Sequence, residues 1–589
     1  MTEPTLCAMI QKAAQLGNRG YRFLDYQEAE TYIGYAELFK KASGVAGVFA
    51  RMGIQPGDKV ALILPTCPEF FYAFFGTLFC GGVPVPLYPP VRLGRMEEYH
   101  QKTGRMLEVS EARLVCTDKR IKRILGRSLA IAGPDLGCIT LNGIATEPFE
   151  FIKSDPDIPA LIQFSSGTTV DPKPVLLTHR QIIANIRTML DFGLNYYGDT
   201  TGGSSYCGLS WLPLYHDMGL IGCALLAIAQ PADLVLIPPE LFVTRPAVWL
   251  RAISAYKPII TGAPNFAFSL CTEKIKDKEI EGVDLSSWQV ALIGGETVSA
   301  SALEKFINRF EPYGFSPHAL TPVYGLAEAS LGVTFSDIKQ RFVYNHFNRN
   351  LLLKNQAKID SSGDPIISLG KPLPGFQVEI RDKTGKNAAD NTLGSVYIKG
   401  PSIMKEYYNN PAATADAMHD GWLDTGDNGF IFKGDLYLYG RKKDLIIIRG
   451  QNYSPEIIER ALADFPGIRL GCVAATGYIP ENDENERLIV FIERDKKGAK
   501  ADDKILADKA SKKITKSTGL VPESVIVLEP GTIFRTSSGK FRRGETLKQY
   551  IAGTLAPPAQ VTIFQMSAEM MRSKIAISRM KRNKNQSRQ

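Results

Sequence analysis

Apolar strands and amphipathic helices alternate along roughly the first 440 residues, and this alternation restricts the possible folds more than any other feature. KVALILP predicts a strand and PEFFYAFFGTLFCG a buried helix, while PVPLYPP and PADLVLIPP predict strands that end at proline. Strands that alternate with helices build layered α/β domains with largely parallel sheets. We therefore expect a large N-terminal α/β domain of stacked sheet layers over residues 1–440.

The pattern changes between residues 360 and 440. GFQVEIRD and GSVYIKG predict short strands separated by turn residues, which indicates a small β-rich subdomain within the large domain. LYGRKKDLIII then places two apolar strands around a charged turn, as a hinge would. For residues 441–570 the sequence predicts a small, mobile α+β C-terminal lid domain. Ser454 and Pro455 are typical of the start of a helix in that domain.

The last segment, residues 571–589, is basic. The whole chain has 69 Lys and Arg against 61 Asp and Glu, a net charge of +8, and this tail contains Lys and Arg but no acidic residue. We expect a disordered tail, with contact to an acidic partner or an anionic lipid as the alternative. Since the rest of the chain is close to neutral, no nucleic-acid partner is predicted.

The cysteines and the N-terminus favour a cytoplasmic protein. Nine cysteines are scattered without a CxxC pair, and the first twenty residues lack a long apolar core. Residues 70–91 contain no charged side chain, but glycines and prolines interrupt them. We expect a buried helix and strand there, and no integral membrane segment.

The segment FSSGTTVDPKPVLLTH, residues 164–179, predicts a loop between two strands, Leu161–Phe164 and Val175–Leu177. Its hydroxyls, glycine amides and lysine are typical of an anion-binding loop; the candidates are Ser165, Ser166, Gly167, Thr168, Thr169 and Lys173. The GxxxxGK[ST] motif is absent, which disfavours a GTPase or a kinase-type ATPase. A polar surface turn is the alternative. Thr178 and Gln181 predict a capping box for the next helix.

The same segment resembles the phosphate loop of the adenylate-forming superfamily, which comprises acyl-CoA synthetases, luciferases and peptide-synthetase adenylation domains. Five further similarities follow in the family's order: GGET at 294–297, YGLAEA at 324–329, GWLDTGDNG at 421–429, GRKKDLIIIRGQNYSPEIIE from 440, and RTSSGKFRR at 535–543. Ala327 and a long stretch at about 335–368, expected to be an insertion, resemble the fatty acyl-AMP ligases in particular.

The resemblance implies roles for individual residues. The loop residues and Lys173 would bind the ATP phosphates, and Glu328 would bind Mg²⁺. Asp427 would accept hydrogen bonds from the ribose, Arg441 would contact ribose or phosphate, and adenine would lie against Tyr324, Gly325, Gly294, Gly295 and Glu296. Lys540 would be the catalytic lysine of the lid, and Lys443 a hinge residue. His216, beside Asp217, would border the acyl carboxylate; a structural His–Asp pair is the alternative.

The resemblance also implies a reaction. ATP and Mg²⁺ would serve to convert a medium- or long-chain fatty acid into an acyl-adenylate, which is passed to an acyl carrier protein or to a carrier domain of a polyketide or peptide synthase. A fatty acyl-CoA synthetase is one alternative. A non-catalytic nucleotide- or lipid-binding relative is another, which the retained Glu328, Asp427 and Lys540 disfavour.

Overall fold

The structure is a computed structural model that describes residues 3–90, 93–141, 149–165, 172–197, 207–338, 340–480, 483, 485–495, 502–536, 539–559 and 562–586. The strands are β1 (Gly20–Leu24), β2 (Glu30–Gly34), β3 (Lys59–Ile63), β4 (Val83–Pro86), β5 (Ala112–Thr117), β6 (Gly137–Thr140), β7 (Pro159–Phe164), β8 (Pro174–Thr178), β9 (Cys207–Ser210), β10 (Asp233–Leu236), β11 (Ile260–Ala263), β12 (Val290–Ile293), β13 (Leu320–Gly325), β14 (Gly332–Phe335), β15 (Tyr344–Phe347), β16 (Asp364–Ile367), β17 (Lys371–Pro372), β18 (Gln377–Arg381), β19 (Gly394–Lys399), β20 (Glu406–Tyr407), β21 (Met418–His419), β22 (Trp422–Phe432), β23 (Asp435–Arg441), β24 (Ile446–Ile448), β25 (Gln451–Tyr453), β26 (Ile468–Tyr478), β27 (Arg487–Arg494) and β28 (Ser524–Leu528).

The helices are α1 (Leu6–Leu16), α2 (Tyr35–Arg51), α3 (Pro68–Phe79), α4 (Met96–Val109), α5 (Lys119–Lys122), α6 (Gly126–Ala132), α7 (His179–Tyr197), α8 (Asp217–Gly219), α9 (Leu226–Ala229), α10 (Pro239–Thr244), α11 (Ala247–Tyr256), α12 (Asn265–Lys274), α13 (Ala300–Phe310), α14 (Arg349–Leu352), α15 (Pro411–Ala417), α16 (Pro455–Ala461), α17 (Asp503–Thr518), α18 (Arg543–Ile551) and α19 (Ile563–Gln586).

Two large sheets dominate the N-terminal part, as the alternating pattern predicts. One has nine strands in the order β17-β14-β13-β12-β11-β9-β10-β1-β2, and its central strands from β13 to β1 run parallel. The other is fully parallel, in the order β4-β3-β5-β6. Within the uncharged stretch 70–91, the residues up to Phe79 belong to α3, and Val83–Pro86 form β4. Both elements are buried, so the prediction of a buried helix and strand is confirmed. Among the described residues, every helix is too short or too polar to cross a lipid bilayer.

The β-rich subdomain is present as well. Strands β18, β19, β22 and β23 form an antiparallel sheet, and the hairpin of β15 and β16 adjoins it. The hairpin lies within the stretch that we expected to be an insertion. The apolar run Leu351–Leu353 within that stretch predicts a strand, and this is wrong: Leu351 and Leu352 are helical, because the Asn348 side chain accepts a hydrogen bond from the backbone N–H of Leu351 and starts α14.

Residues 445–551, called the lid segment below, have their own sheet and core. Strands β26, β27 and β28 form the sheet, and α16 and α17 pack on it. Pro455 begins α16 as predicted, but the Ser454 hydroxyl donates to Glu456 instead of capping the helix.

The expectation of a disordered tail is wrong for the described residues 571–586. The chain continues beyond the lid segment into α19, which reaches Gln586 and returns to the N-terminal part. The physical reason is that α19 is not isolated: its Ser573 is fully buried against α6, and its Glu569 is buried beside α4.

Candidate active site

A cavity of about 1580 Å³ lies between the N-terminal part and the lid segment. Most of the predicted site residues that the structure describes line it: Ser165, His216, Gly294, Gly295, Glu296, Tyr324, Gly325, Glu328, Asp427, Arg441 and Lys540. Lys173 is described nearby but is not among the lining residues. Ser166, Gly167, Thr168 and Thr169 lie outside the described residues. The fold therefore brings together side chains that are more than 300 positions apart in the sequence.

Asp427 is the centre of one polar group in this cavity. It lies on β22 opposite Arg441 on β23, and the Arg441 Nε is 3.3 Å from Asp427 Oδ1. The Tyr324 hydroxyl, at the end of β13, donates to Asp427 Oδ2 at 2.7 Å. Burial raises the pKa of Tyr324 well above its usual value, so the phenol keeps its proton and remains a donor. The Asp427 carboxylate is thus oriented from both sides.

The GGET turn follows β12 and presents backbone more than side chain. Gly295 has φ +82°, a left-handed conformation that residues with a Cβ rarely adopt. The Glu296 carboxylate accepts a hydrogen bond of 2.6 Å from the backbone N–H of Phe266 at the start of α12. Burial raises the pKa of Glu296. The Glu296 side chain therefore holds the start of α12, and the backbone of the glycines remains as the surface of the turn that a flat ligand can contact.

Lys540 enters the cavity from the lid segment. Its backbone N–H donates to the Thr536 hydroxyl at 3.1 Å, which fixes the turn that carries the side chain. Burial, together with the charge of Arg441, lowers the pKa of Lys540 below its usual value. Asp217 and Asp427 oppose that shift, so the ammonium lies within the field of carboxylates from the N-terminal part. The described arrangement is one in which the lid segment is closed on the cavity.

His216 and Asp217 are adjacent to each other at the cavity wall. The His216 Nδ1 lies 3.6 Å from Asp217 Oδ1, and the same oxygen accepts a 2.7 Å hydrogen bond from the backbone N–H of Met218. Burial raises the pKa of Asp217, but His216 and the Lys540 charge outweigh it and hold the pKa below its usual range. The pair thus presents an anionic carboxylate opposite the lysine.

Glu328 and Lys173 share a neighbour that the sequence analysis missed. The Tyr407 hydroxyl donates to Glu328 Oε1 at 2.8 Å, and the Lys173 Nζ lies 4.7 Å from the centre of the Tyr407 ring. Strand β20 carries Tyr407 and pairs with β8, which directly follows Lys173. The only signal in the sequence was an aromatic pair in KEYYNNP, which has no motif of its own.

The carboxylate of Glu328 fits a Mg²⁺ ion of the kind that arrives with a nucleotide. Among the described residues no group of three or more His, Cys, Asp and Glu side chains could hold a metal ion by itself. Mg²⁺ prefers oxygen ligands and is commonly bound through one or two carboxylates together with substrate phosphates and water. One carboxylate, that of Glu328 in the cavity wall, agrees with that pattern.

The part of the cavity that is lined by central strands and by the helical segment after α8 is called the apolar branch below. Its wall includes the π-helical turn Leu220–Leu225, which follows α8, and one face of α9. Small and apolar residues line it: Leu209, Met218, Gly222, Cys223, Leu226, Ala227, Leu234 and Leu292. Such a wall suits an unbranched hydrocarbon chain better than a polar side chain.

Known proteins share this architecture. A structure from a study of fatty acyl-adenylate ligases of E. coli and L. pneumophila superimposes with a TM-score of 0.86 at 31% identity, covering 94% of this chain and 98% of the other. A fatty acyl-adenylate ligase from L. pneumophila in complex with acyl adenylate and pyrophosphate gives a TM-score of 0.71 at 27% identity, over 93% and 96% of the two chains.

Sequence relatives agree with this likeness. A Caulobacter vibrioides protein provisionally named an acyl-CoA synthetase is 30% identical over 94% of this chain and 96% of its own length. The long-chain-fatty-acid–AMP ligase FadD26 of Mycobacterium tuberculosis H37Rv is 29% identical over 93% of this chain and 98% of its own. The profile of the AMP-binding enzyme family matches residues 11–408. This chain belongs to the AMP-binding enzyme family.

Proposed function

We propose that this protein activates a medium- or long-chain fatty acid with ATP to a fatty acyl-adenylate, with release of pyrophosphate. The observation that carries the proposal is one continuous cavity. Its wall contains Tyr324, Asp427 and Arg441 beside Lys540, together with the residues of the apolar branch. ATP is the co-substrate, and the fatty acid lies in the apolar branch.

In the proposed reaction a carboxylate oxygen of the fatty acid forms a bond to the α-phosphorus of ATP. The bond from that phosphorus to the bridging oxygen of pyrophosphate breaks, and pyrophosphate leaves with the electron pair. A carboxylate is already ionised at neutral pH, since its ordinary pKa is near 4, so no general base is needed. Catalysis then depends on bringing two anions together and stabilising the developing charge.

Each polar group has a task in this proposal. Asp427, held by Tyr324 and Arg441, accepts hydrogen bonds from the ribose hydroxyls. Lys540 stabilises the charge that develops between the carboxylate and the α-phosphate, and His216 borders the carboxylate. Lys173 and the serine and threonine residues of the 165–169 loop hold the phosphates. Glu328 would hold Mg²⁺, which when bound neutralises phosphate charge.

We further propose that the adenylate is passed to the phosphopantetheine of an acyl carrier protein or carrier domain rather than to free CoA. The support is the hairpin of β15 and β16 with α14, which packs on the lid segment. The Arg349 guanidinium donates to the Ser517 carbonyl at 2.7 Å, and the Arg460 guanidinium donates to the Pro365 carbonyl at 2.6 Å. Phe347 and Leu352 share a buried cluster with Ile457 of the lid. These contacts hold the lid closed.

A fatty acyl-CoA synthetase is the second candidate, because the Caulobacter vibrioides relative carries that name. One experiment separates the possibilities. The purified protein is incubated with ATP, Mg²⁺ and fatty acids of eight to sixteen carbons, with and without CoA, and the products are identified by mass. Acyl-adenylate as the main product in both arms supports the proposal. Acyl-CoA as the main product favours the synthetase, and neither product would favour a non-catalytic relative.

A further inference from the structure

Tyr407 joins two candidate phosphate-site residues that the sequence separates by 155 positions. Its side chain is buried, its hydroxyl donates to Glu328 Oε1 at 2.8 Å, and its ring lies 4.7 Å from the Lys173 ammonium. Its backbone N–H donates to Thr414 Oγ1 at 3.0 Å, so the position of the residue is fixed independently of both partners.

Two physical properties suit this tyrosine to orient a metal-binding carboxylate. Its hydroxyl donates to Glu328 Oε1 at 2.8 Å from a side chain that is itself buried, so the donor is held in place. One Glu328 oxygen is thereby occupied and the carboxylate is held in one rotation, as outer hydrogen bonds do for metal ligands in general. An aromatic face also attracts an ammonium group.

We propose that Tyr407 is a positioning residue that sets the geometry of Glu328 toward Mg²⁺ through its hydroxyl and that of Lys173 toward the phosphates through its ring. This inference rests on the proposed adenylation reaction and deepens it. The contact of the hydroxyl with Glu328 and the contact of the ring with Lys173 can be tested separately, because phenylalanine keeps the ring and removes only the hydroxyl.

The test compares Tyr407→Phe and Tyr407→Leu with wild type and with Tyr35→Phe. The control residue is a buried tyrosine whose hydroxyl donates to the Ala232 carbonyl at 2.7 Å, outside the site. Mn²⁺ binding to the protein–ATP complex is measured by electron paramagnetic resonance, and the KM for ATP and the KM for fatty acid are measured separately.

Tyr407→Phe should weaken Mn²⁺ binding about tenfold, the lower range for loss of an outer hydrogen bond to a metal ligand, with the KM for fatty acid unchanged. Tyr407→Leu should in addition raise the KM for ATP beyond that of Tyr407→Phe. Tyr35→Phe should match wild type. Wild-type Mn²⁺ affinity in Tyr407→Phe overturns the inference, whereas absence of acyl-adenylate from wild type would overturn the proposed reaction instead.

An independent observation concerns α19, which ties the end of the chain to the N-terminal part. The His100 ring on α4 is fully buried; its Nε2 is 2.9 Å from Glu569 Oε1 and its Nδ1 is 2.9 Å from Ser128 Oγ. The backbone N–H of Gly126 donates to Ser573 Oγ at 2.7 Å. Helix α19 is therefore anchored by buried polar contacts to both α4 and α6.

The helix α4 that carries His100 also holds the lid. The Arg542 guanidinium of the lid donates to Glu98 Oε1 at 2.6 Å, and the Arg95 guanidinium stacks 3.8 Å from the centre of the Phe534 ring. Just before α19, the Ala559 backbone N–H donates to the Gly94 carbonyl at 3.2 Å. The lid segment is thus attached to the N-terminal part at both of its ends.

We infer that α19 is a strap that restrains rotation of the lid away from the adenylate-forming arrangement. A lid that is attached at the hinge alone can turn about it, but one attached at both ends must first strain or release the second attachment. The inference rests on the proposed function, and it takes the lid to turn away from the adenylate-forming arrangement before a thioester can form.

Gly126 offers a precise way to loosen the strap. A Cβ at this position would lie 2.1 Å from the Ser573 carbonyl oxygen, although alanine suits the helical backbone of α6. Gly544 in α18 is a matched control, since a Cβ there has no described neighbour within 4 Å. Neither residue belongs to the proposed catalytic machinery.

Gly126→Ala should raise amide hydrogen exchange across α19 roughly tenfold, because forcing a close contact weakens packing. It should leave pyrophosphate release within about twofold of wild type and raise the yield of acyl-CoA from free CoA. Gly544→Ala should behave like wild type in all three measurements. A loosened α19 with unchanged acyl-CoA yield overturns the inference, and so does an α19 that stays protected in Gly126→Ala.

Discussion

At the scale of single residues, Lys540 is the side chain whose loss should be most specific. The lysine reaches the cavity only from the lid, so ATP can occupy its site on the N-terminal part without it. Lys540→Ala should reduce pyrophosphate release by about two to three orders of magnitude, comparable to removing one donor from an oxyanion site. ATP affinity measured by calorimetry should change little. Near-normal pyrophosphate release from the variant would contradict this role.

The lowered pKa of Lys540 leads to a second prediction. The lysine must be protonated to stabilise a developing negative charge, and burial beside Arg441 favours its neutral form. In the free enzyme, kcat/KM should therefore fall on the alkaline side at a pH below the ordinary lysine pKa of about 10.4. In Lys540→Arg the fall should move to higher pH, since arginine stays charged. If kcat/KM falls at the same alkaline pH in both proteins, a group other than Lys540 causes the fall.

Residue contacts that are local in the sequence could be predicted, and long-range ones could not. The capping box of Thr178 and Gln181 is confirmed, with hydrogen bonds of 2.8 and 3.2 Å, because both partners lie within one helical turn. The Tyr407 contact with Glu328 spans 79 positions and depends on the pairing of β20 with β8. Nothing in the sequence around Tyr407 specifies that pairing.

At the scale of elements, the π-helical turn and α9 should set the substrate class. Their wall is apolar, so ATP–pyrophosphate exchange should depend on fatty acids such as dodecanoate and not on amino acids. Each added methylene should lower the KM by about fourfold, the equivalent of about 0.8 kcal/mol, until the apolar branch is full. Exchange with amino acids and none with dodecanoate would contradict the proposal.

The hairpin of β15 and β16 gives a further prediction at this scale. Deleting it would remove Phe347, which is fully buried beside Phe430 and Tyr437, so a point variant is the sharper probe. Arg349→Ala should remove the contact with Ser517 of the lid, keep adenylate formation and raise acyl-CoA yield. The control is Lys383→Ala, an exposed turn lysine in the same subdomain. Equal acyl-CoA yields from the two variants would show that this contact does not restrain the lid.

Elements whose sequence pattern matches their environment were predicted correctly. Strands β3, β4 and β10 of the two large sheets are buried along most of their length and read as apolar runs, which is why the sequence predicts them. The tail was mistaken for disorder because its sequence is dominated by charge. Its helix depends on Glu569 and Ser573, whose partners His100 and Gly126 lie more than 440 positions away.

At the scale of the whole molecule, the sequence predicted two bodies joined by a hinge but could not indicate how firmly they are held together. The motifs near Asp427 and Lys540 indicated that the lid must approach the cavity for chemistry. The contacts that keep it there come from Arg349, Glu98 and α19, outside every motif that the resemblance supplied. These contacts all stabilise the same closed arrangement of the lid on the cavity.

The closed arrangement leads to the last prediction, that free CoA is a poor acceptor and acyl-adenylate accumulates. If the contacts of α14 and α4 together favour the closed lid by about 3 kcal/mol, more than 99% of molecules are closed, because each 1.4 kcal/mol is tenfold. A carrier protein can add its own contact energy to the turned state, whereas CoA offers only its pantetheine and nucleotide. Acyl-CoA should therefore rise further in the double variant Arg349→Ala/Gly126→Ala than in either single variant. Rapid mass-spectrometric sampling with CoA measures this, and wild-type acyl-CoA formation as fast as pyrophosphate release would show that the lid turns without hindrance.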